Sequence, residues 1–179
     1  MTYSFSFSRL TLVVAAFLAM AVVLVAPTSA HADEPRLISS HNDWNAFTFM
    51  EDGKKVCFMA TQPQKAQGKY SKRGEVFALV THRPGDSSFD VVSFVAGYTF
   101  QKGSDVTVKV DGRKFTLFTQ SDTAWTPDNA TDRSLTEAIK NGVKMVVEGR
   151  STRGTLTTDT YSLSGSTAAY NAISKACGK

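Results

Sequence analysis

The stretch that decides the fold class is residues 106–117, which read VTVKVDGRKFTL. Its three valines alternate with polar residues, which is the period of a β-strand with one buried face. Asp111-Gly112 follows, and this dipeptide is typical of a two-residue hairpin turn because both positions tolerate positive φ. The turn sets Val108 opposite Phe115, so the apolar sides of the two strands coincide. The segment therefore predicts an antiparallel hairpin with one face in a core.

Similar strand patterns occur on both sides of this hairpin. They fall at 44–50, 55–61, 75–82, 90–100, 144–150 and 155–163. The polar segment 62–74 carries one proline and two glycines and is expected to be the longest loop.

Two short helices interrupt the strands. Ser134-x-x-Glu137 matches a capping box and predicts a helix that ends at Asn141-Gly142. A second helix is predicted from Ser166 to about Cys177. Many strands with two brief helices predict a mainly β domain. Its architecture is either a β-sandwich or an open barrel of about nine strands, with a short internal helix and a C-terminal helix.

The first 32 residues have the pattern of a signal peptide. Arg9 precedes an apolar run over 10–25, and Ala30-His31-Ala32 provides a small-residue cleavage site. The alternative, a membrane anchor, needs about 20 apolar residues. Cleavage after Ala32 leaves 33–179 as a single domain of ordinary size, in which 33–42 is expected to be a loose leader.

The mature chain contains two cysteines, Cys57 and Cys177. A secreted setting lets thiols pair and stay paired, so a structural disulfide that pins the last helix to an early strand is expected. Two buried free thiols, or a redox pair, are the alternatives. A redox pair normally has its cysteines close together in sequence, unlike these two.

Charge and composition exclude some classes of function. Loss of Arg9 with the signal peptide lowers the formal net charge from +4 to +3, too little for the basic face of a nucleic-acid-binding protein. The mature chain has no second apolar stretch long enough to span a membrane. Cations are concentrated in one region of the sequence. This region is either a solvated loop with lysine-rich strand ends or a patch that binds phosphate or lipid. They are Lys54, Lys55, Lys65, Lys69, Lys72 and Arg73.

The sequence shows no matched set of catalytic groups. In the mature chain only His41 and His82 could serve as histidine bases, and neither adjoins a nucleophile motif. A metal site needs three or four converging ligands, and two histidines with two paired cysteines are too few. No metal and no cofactor is therefore expected. Carboxylates paired only in space remain an alternative, as in a glycoside hydrolase. The available acids are Asp86, Asp90, Glu137, Glu148 and Asp159.

Four residues form a possible contact patch. Arg150, Arg153 and Asp159 flank one turn and strand, where they could form an ion pair or meet a partner. Trp125 lies between polar segments and is expected to be a core anchor that is partly exposed.

Several short motifs follow one another in a specific order along the mature chain. They are Trp44, Lys55-Val56-Cys57-Phe58, Gln62-Pro63, Gly97-Tyr98-Thr99-Phe100, Phe115-Thr116-Leu117-Phe118, Ala124-Trp125, Gly142, Ser151-Thr152-Arg153-Gly154-Thr155, Asp159 to Gly165, and Cys177. In order and spacing they resemble the invasion-associated locus B family of alphaproteobacterial envelope proteins. The resemblance implies export, a mainly β fold and no defining catalytic motif. A role in host-cell invasion has been attributed to a member of that family.

The sequence thus predicts a non-enzymatic exported protein, periplasmic or associated with the outer surface. It is expected to act by binding another envelope or host component, protein or glycan, and not nucleic acid. The alternatives are a hydrolase of cell-envelope polysaccharide and a carrier of a small ligand, which needs an apolar pocket of at least about 300 Å³.

Overall fold

A computed structural model describes residues 34–179, so the predicted signal peptide lies outside the described residues. The chain is mostly β-strand, with one internal and one C-terminal helix, and the predicted fold class is confirmed. The strands are β1 Arg36–His41, β2 Trp44–Glu51, β3 Lys54–Thr61, β4 Lys65–Gly68, β5 Phe77–Arg83, β6 Ser88–Val95, β7 Val106–Val110, β8 Arg113–Gln120, β9 Thr123–Trp125, β10 Lys144–Arg150 and β11 Leu156–Ser162. The helices are α1 Asn129–Asn141 and α2 Ser166–Cys177.

All described strands belong to one open antiparallel sheet in the order β1-β2-β3-β5-β6-β9-β8-β7-β10-β11-β4. The sheet curls so that its two halves face each other. The ring of Phe94 on β6 lies 6.4 Å, between centroids, from the ring of Tyr161 on β11. One hydrophobic core fills the space between the halves and continues under both helices.

The hairpin at 106–117 has the predicted register. Val108 pairs with Phe115, and the turn residues Asp111 and Gly112 have φ of 44° and 92°. The register also places Lys109 opposite Lys114. Lys109 compensates this like-charge pairing by binding Glu148 on the neighbouring strand β10, at 2.9 Å.

Two strands form where the sequence predicted irregular chain. The expected loose leader 33–42 contains β1, and the expected loop 62–74 contains β4. Both are edge strands with mostly exposed residues, so neither carries an apolar alternation. Backbone hydrogen bonds to β2 and β11 define them, and these bonds leave no pattern in the side chains.

Helix α1 begins earlier than its capping box predicted. Asp128 is the N-cap, and its carboxylate accepts a hydrogen bond from the Thr131 amide at 2.7 Å. Ser134 therefore lies inside the helix, where its hydroxyl accepts from Arg113. The first turn is polar, so apolar periodicity does not reveal it.

A disulfide bond joins Cys57 on β3 to Cys177 at the end of α2, with the two Cα atoms 6.0 Å apart. Ala169, Tyr170 and Ile173 share the buried face of α2 with Cys177, as the sequence predicted. The helix packs across β1, β2 and β3. The C-terminal segment is thus held to the first half of the sheet both covalently and by the core.

Candidate functional site

The structure divides the predicted contact patch among three environments. Arg150 and Arg153 stand at the turn between β10 and β11 and are exposed. Asp159 does not join them at the surface, because it is 3% exposed and points into the fold. Trp125 is half-buried on β9, between β6 and β8 in the sheet, whereas both arginines belong to the β10–β11 end.

Asp159 pairs with Arg73, a residue that the sequence placed only among the loop cations. Two parallel hydrogen bonds of 2.6 Å join the guanidinium to the carboxylate, and each side chain is 5% exposed. Burial by itself would lower the pKa of Arg73, but its bonds to Asp159 outweigh this effect and raise the pKa. A bidentate pair of this kind is held in one geometry.

Further contacts of Arg73 fix the segment 69–73 against the sheet. Its Nε donates to the Ala96 carbonyl at 2.7 Å, and the guanidinium carbon lies 5.5 Å and 5.1 Å from the ring centroids of Tyr70 and Tyr98. The backbone amide of Gly74 also donates to the carbonyl of Gly97 at 2.9 Å. The buried Arg73 side chain therefore anchors this segment to the sheet.

Segment 69–72 and the turn 151–155 form the two walls of an open cleft, which we call the cationic cleft. It comprises two adjoining spaces of about 540 and 690 Å³ that share Lys69, Arg153 and Thr155. Four cations stand on its walls: Lys69, Lys72, Arg150 and Arg153. Most of the other residues that line the cleft carry a hydroxyl group. They are Tyr70, Ser71, Tyr98, Thr99, Ser151, Thr152, Thr155 and Thr157.

Backbone contacts also hold the second wall of the cleft. The Ser151 amide donates to the Thr155 carbonyl at 2.9 Å, and the Thr152 amide donates to the Thr99 carbonyl at 3.0 Å. Arg150 donates to the Gly154 carbonyl at 2.6 Å, which orients that side chain along the turn. Both walls are thus anchored before any ligand arrives.

The side of the first half-sheet that faces away from the core is also unusual, and we call it the outer face. Strand alternation places Phe58 on this side, whereas the neighbouring Cys57 points towards α2. Two adjacent rows of paired residues cross the face without a charged side chain. One row is Leu37, Phe47, Phe58, Thr81 and Val91, and the other is Asn45, Ala60, Leu79, Ser93, Trp125 and Phe118.

Aromatic side chains cluster on the outer face. Phe47 and Phe58 stack with ring centroids 5.0 Å apart, and Phe49 meets Phe58 edge-on at 5.9 Å. At the two ends of the rows, Leu37 is 57% and Phe118 is 46% exposed. Trp125 is part of this surface, so one residue of the predicted patch lies here rather than beside the arginines.

The interior contains a polar cluster that resembles a catalytic triad only in its composition. His82 Nε2 lies 3.2 Å from Ser174 Oγ, and His82 Nδ1 lies 4.0 Å from Asp90. However, Nδ1 accepts the backbone amide of Asp90 at 3.1 Å, so Nε2 carries the proton and donates to Ser174. A ring in this state cannot remove a proton from the serine, and His82 is 0% exposed. The cluster is a structural tether for α2.

Asp90 completes this tether. Its carboxylate accepts hydrogen bonds from Tyr170, at 2.8 Å, and from Lys179. Burial raises the pKa of Asp90, but the bonds from Lys179 and Tyr170 outweigh burial and leave the pKa below its ordinary value. No pattern in the sequence indicates the role of Lys179, because that role depends on how the residues after α2 fold back onto β6.

Acid is expected to weaken the fold through His82. Burial lowers the pKa of His82 from 6.5 to about 4. Between these values the unfolded chain binds more protons than the folded one, so stability falls as the pH falls. We expect a loss of about 2 kcal/mol between about pH 7.5 and pH 5. Urea unfolding at both pH values measures this loss, and in His82→Gln most of it should vanish. An equal loss in that variant would exclude His82 as the cause.

The five acids considered for a hydrolase bind basic partners rather than one another. Asp86 pairs with Lys54 at 2.6 Å and Glu137 with Lys140 at 2.7 Å. The pairs of Asp90, Glu148 and Asp159 are described above. The described residues contain no group of three or more His, Cys, Asp or Glu side chains placed to hold a metal. These five acids therefore give no support to hydrolysis by paired carboxylates.

The space between the two halves of the sheet is nearly filled. The cavity beside Phe94, Tyr98 and Tyr161 measures about 10 Å³, whereas a carrier pocket needs at least about 300 Å³. It holds about one water molecule. This interior therefore gives no support to the carrier hypothesis. Within residues 34–179, no helix combines the length and apolar character needed to cross a bilayer.

Fold and surfaces together define a class: a mostly β domain, closed by one disulfide, with a cationic cleft and an apolar outer face. The family model described as "Invasion associated locus B (IalB) protein" matches residues 44–174, and the chain belongs to this family. Proteins of this family are exported, and it is not a known enzyme family. No curated protein and no solved structure matches the chain.

Proposed function

We propose that this chain is a non-enzymatic envelope protein that acts by binding another envelope or host protein through the outer face. In this proposal residues 1–32 direct export, and 33–179 form a single domain in the periplasm or at the outer surface. Membership in the invasion-associated locus B family is consistent with such an envelope role. The disulfide supports an oxidising compartment.

The observation that carries the proposal is the apolar character of the outer face. An antiparallel sheet with one solvated face normally carries polar residues on that face. Here two adjacent rows are uncharged, and they include Phe47, Phe58, Trp125 and Phe118. Extended exposed apolar surface marks interaction sites, and aromatic residues are enriched in protein interfaces.

One border of the outer face, beyond Phe49 and Thr81, carries charged residues. Arg83 binds Glu51 at 3.1 Å, and Lys54 binds Asp86, so the charges near one end neutralise each other. An uncharged centre with charged groups at its border is the usual anatomy of a protein interface. This arrangement supports a protein partner over a charged polymer at this surface.

Photocrosslinking in intact cells tests the proposal. A photoreactive amino acid in place of Phe118 or Leu37 should yield one discrete protein adduct, because both residues are exposed on the outer face. The matched control is Val143, which is apolar and 77% exposed but lies between α1 and β10. Mass spectrometry of the adduct identifies the partner.

A charge on the outer face should abolish the adduct. With the photoreactive group at Leu37, Phe118→Asp is expected to remove the adduct while the melting temperature stays close to that of the parent protein. Equal adducts from Leu37 and Val143, or an adduct that persists in Phe118→Asp, would refute the proposal. An adduct of two copies of this chain would replace the foreign partner by self-association.

A further inference from the structure

The cationic cleft lies apart from the outer face and has its own chemistry. Lys69, Lys72, Arg150 and Arg153 stand around it and make no ion pair with any carboxylate of residues 34–179. The described residues that line the cleft include no aspartate and no glutamate. Asp159 lines the small interior cavity, which shares Tyr98 and Thr157 with the cleft, and its charge is neutralised by Arg73. The cleft is therefore positive, with no internal counter-charge.

Folding brings these cations together from two separate parts of the chain. Lys69 and Lys72 follow β4, whereas Arg150 ends β10 and Arg153 lies in the turn after it. The pairing of β4 with β11 joins the two segments, and Thr155 Oγ1 donates to the Lys69 carbonyl at 3.5 Å. Two other lysines of the sequence cluster lie outside the cleft: Lys54 binds Asp86, and Lys55 donates to the Ala176 carbonyl at 3.5 Å.

We propose that the cationic cleft binds a ligand in which a phosphate group is attached to a saccharide-sized polar body. A phosphate carries a charge of about −1.5 to −2 and three acceptor oxygens, which suits several converging cations. Arginine presents its donors in a planar fork that matches phosphate oxygens. This site is independent of the outer face and of its protein partner.

The remainder of the lining fits a polyhydroxylated body. Hydroxyls of Ser71, Thr99 and Thr152 can donate and accept hydrogen bonds, as sugar hydroxyls require. Tyr70 is 38% exposed at the wall and offers an apolar ring with a polar tip. The space of about 540 Å³ lies within the range of ligand pockets, about 300–1,000 Å³.

The walls are preformed, which favours binding because little has to be ordered when the ligand arrives. Arg73 and the glycine contact at Gly74 and Gly97 hold the first wall. Gly97 has φ of +69°, and a Cβ there would lie 2.4 Å from the Gly74 oxygen, so this close approach requires glycine. Bonds of Ser151 and Thr152 hold the second wall.

Titration of the exported, purified protein with glucose 6-phosphate, followed by amide chemical shifts, tests the proposal. Shift changes should concentrate at 69–72 and 151–155, and glucose alone should produce none of them. The double variant Arg150→Gln with Arg153→Gln should weaken binding by at least about tenfold. A second variant, Lys69→Gln with Lys72→Gln, should weaken it in the same direction.

Lys114→Gln is the matched control, because Lys114 is an exposed cation on β8, outside the cleft. Equal weakening in this control, equal binding of glucose, or shift changes centred elsewhere would overturn the proposal.

Vesicles that contain phosphatidic acid, compared with vesicles of phosphatidylcholine, form the second arm of the experiment. Binding to the sugar phosphate alone assigns a soluble or polymer-bound saccharide, and binding to the acidic vesicles assigns a lipid headgroup. Binding to neither refutes the site.

Discussion

Replacement of Cys57 and Cys177 together by alanine is expected to lower the free energy of unfolding by about 4–5 kcal/mol. The disulfide spans 120 residues, so its loss gives the unfolded chain much additional conformational freedom. A domain has a net stability of about 5–15 kcal/mol, so the loss is a large part of the total. Urea unfolding of the parent and the double variant measures the difference.

The double variant should nevertheless keep α2 in place under native conditions. Ile173 is 0% exposed in the core, and Lys179 and Tyr170 bind Asp90 without help from the disulfide. Far-ultraviolet circular dichroism should therefore stay close to that of the parent. Reduction of the parent protein with dithiothreitol is the control and should reproduce the loss of stability. Two reactive thiols in denatured, unreduced exported protein would contradict the disulfide itself.

Replacement of Arg73 by methionine is expected to cost about 3–5 kcal/mol, because it leaves the buried carboxylate of Asp159 without a counter-charge. The double variant Arg73→Met with Asp159→Leu should lose less than Arg73→Met alone, since it removes both buried charges. Urea unfolding of the two single variants and the double variant forms a double-mutant cycle that measures the coupling.

Arg83→Met is the matched control for this cycle. Arg83 also binds a carboxylate, that of Glu51, but the two side chains are 33% and 43% exposed. An exposed pair contributes at most about 1 kcal/mol, so this variant should change stability little. Equal losses for Arg73→Met and Arg83→Met would show that burial does not govern the cost. Such a result would contradict the proposed role of Arg73 as the residue that anchors segment 69–73 to the sheet.

The two surfaces give the protein two separable binding activities. The outer face runs across the sheet from β1 to β8, whereas the cationic cleft lies at the β4–β11 edge. Phe118→Asp should therefore leave binding of glucose 6-phosphate unchanged. Substitution of Arg150 and Arg153 should likewise leave the crosslink from Leu37 intact.

Local sequence determined much of the fold. Alternation in 106–117 and the Asp111-Gly112 turn specify a hairpin without reference to the rest of the chain, because strand period and turn conformation are properties of neighbouring residues. The buried face of α2 follows its apolar period in the same way. The mostly β class, with one internal and one C-terminal helix, could be predicted for this reason.

Only the tertiary structure decided the edge strand β4 and the surfaces. β4 exists because β11 offers unpaired backbone groups, and β11 is distant in sequence, whereas β1 pairs with β2, its neighbour along the chain. The pairing of Arg73 with Asp159 joins residues 86 positions apart, so no local spacing indicates it. The sequence singled out Arg150, Arg153 and Trp125, but it could not separate a cleft from a sheet face. Which side chains converge depends on strand order and on the curl of the sheet, and these are set by contacts between segments that are far apart along the chain.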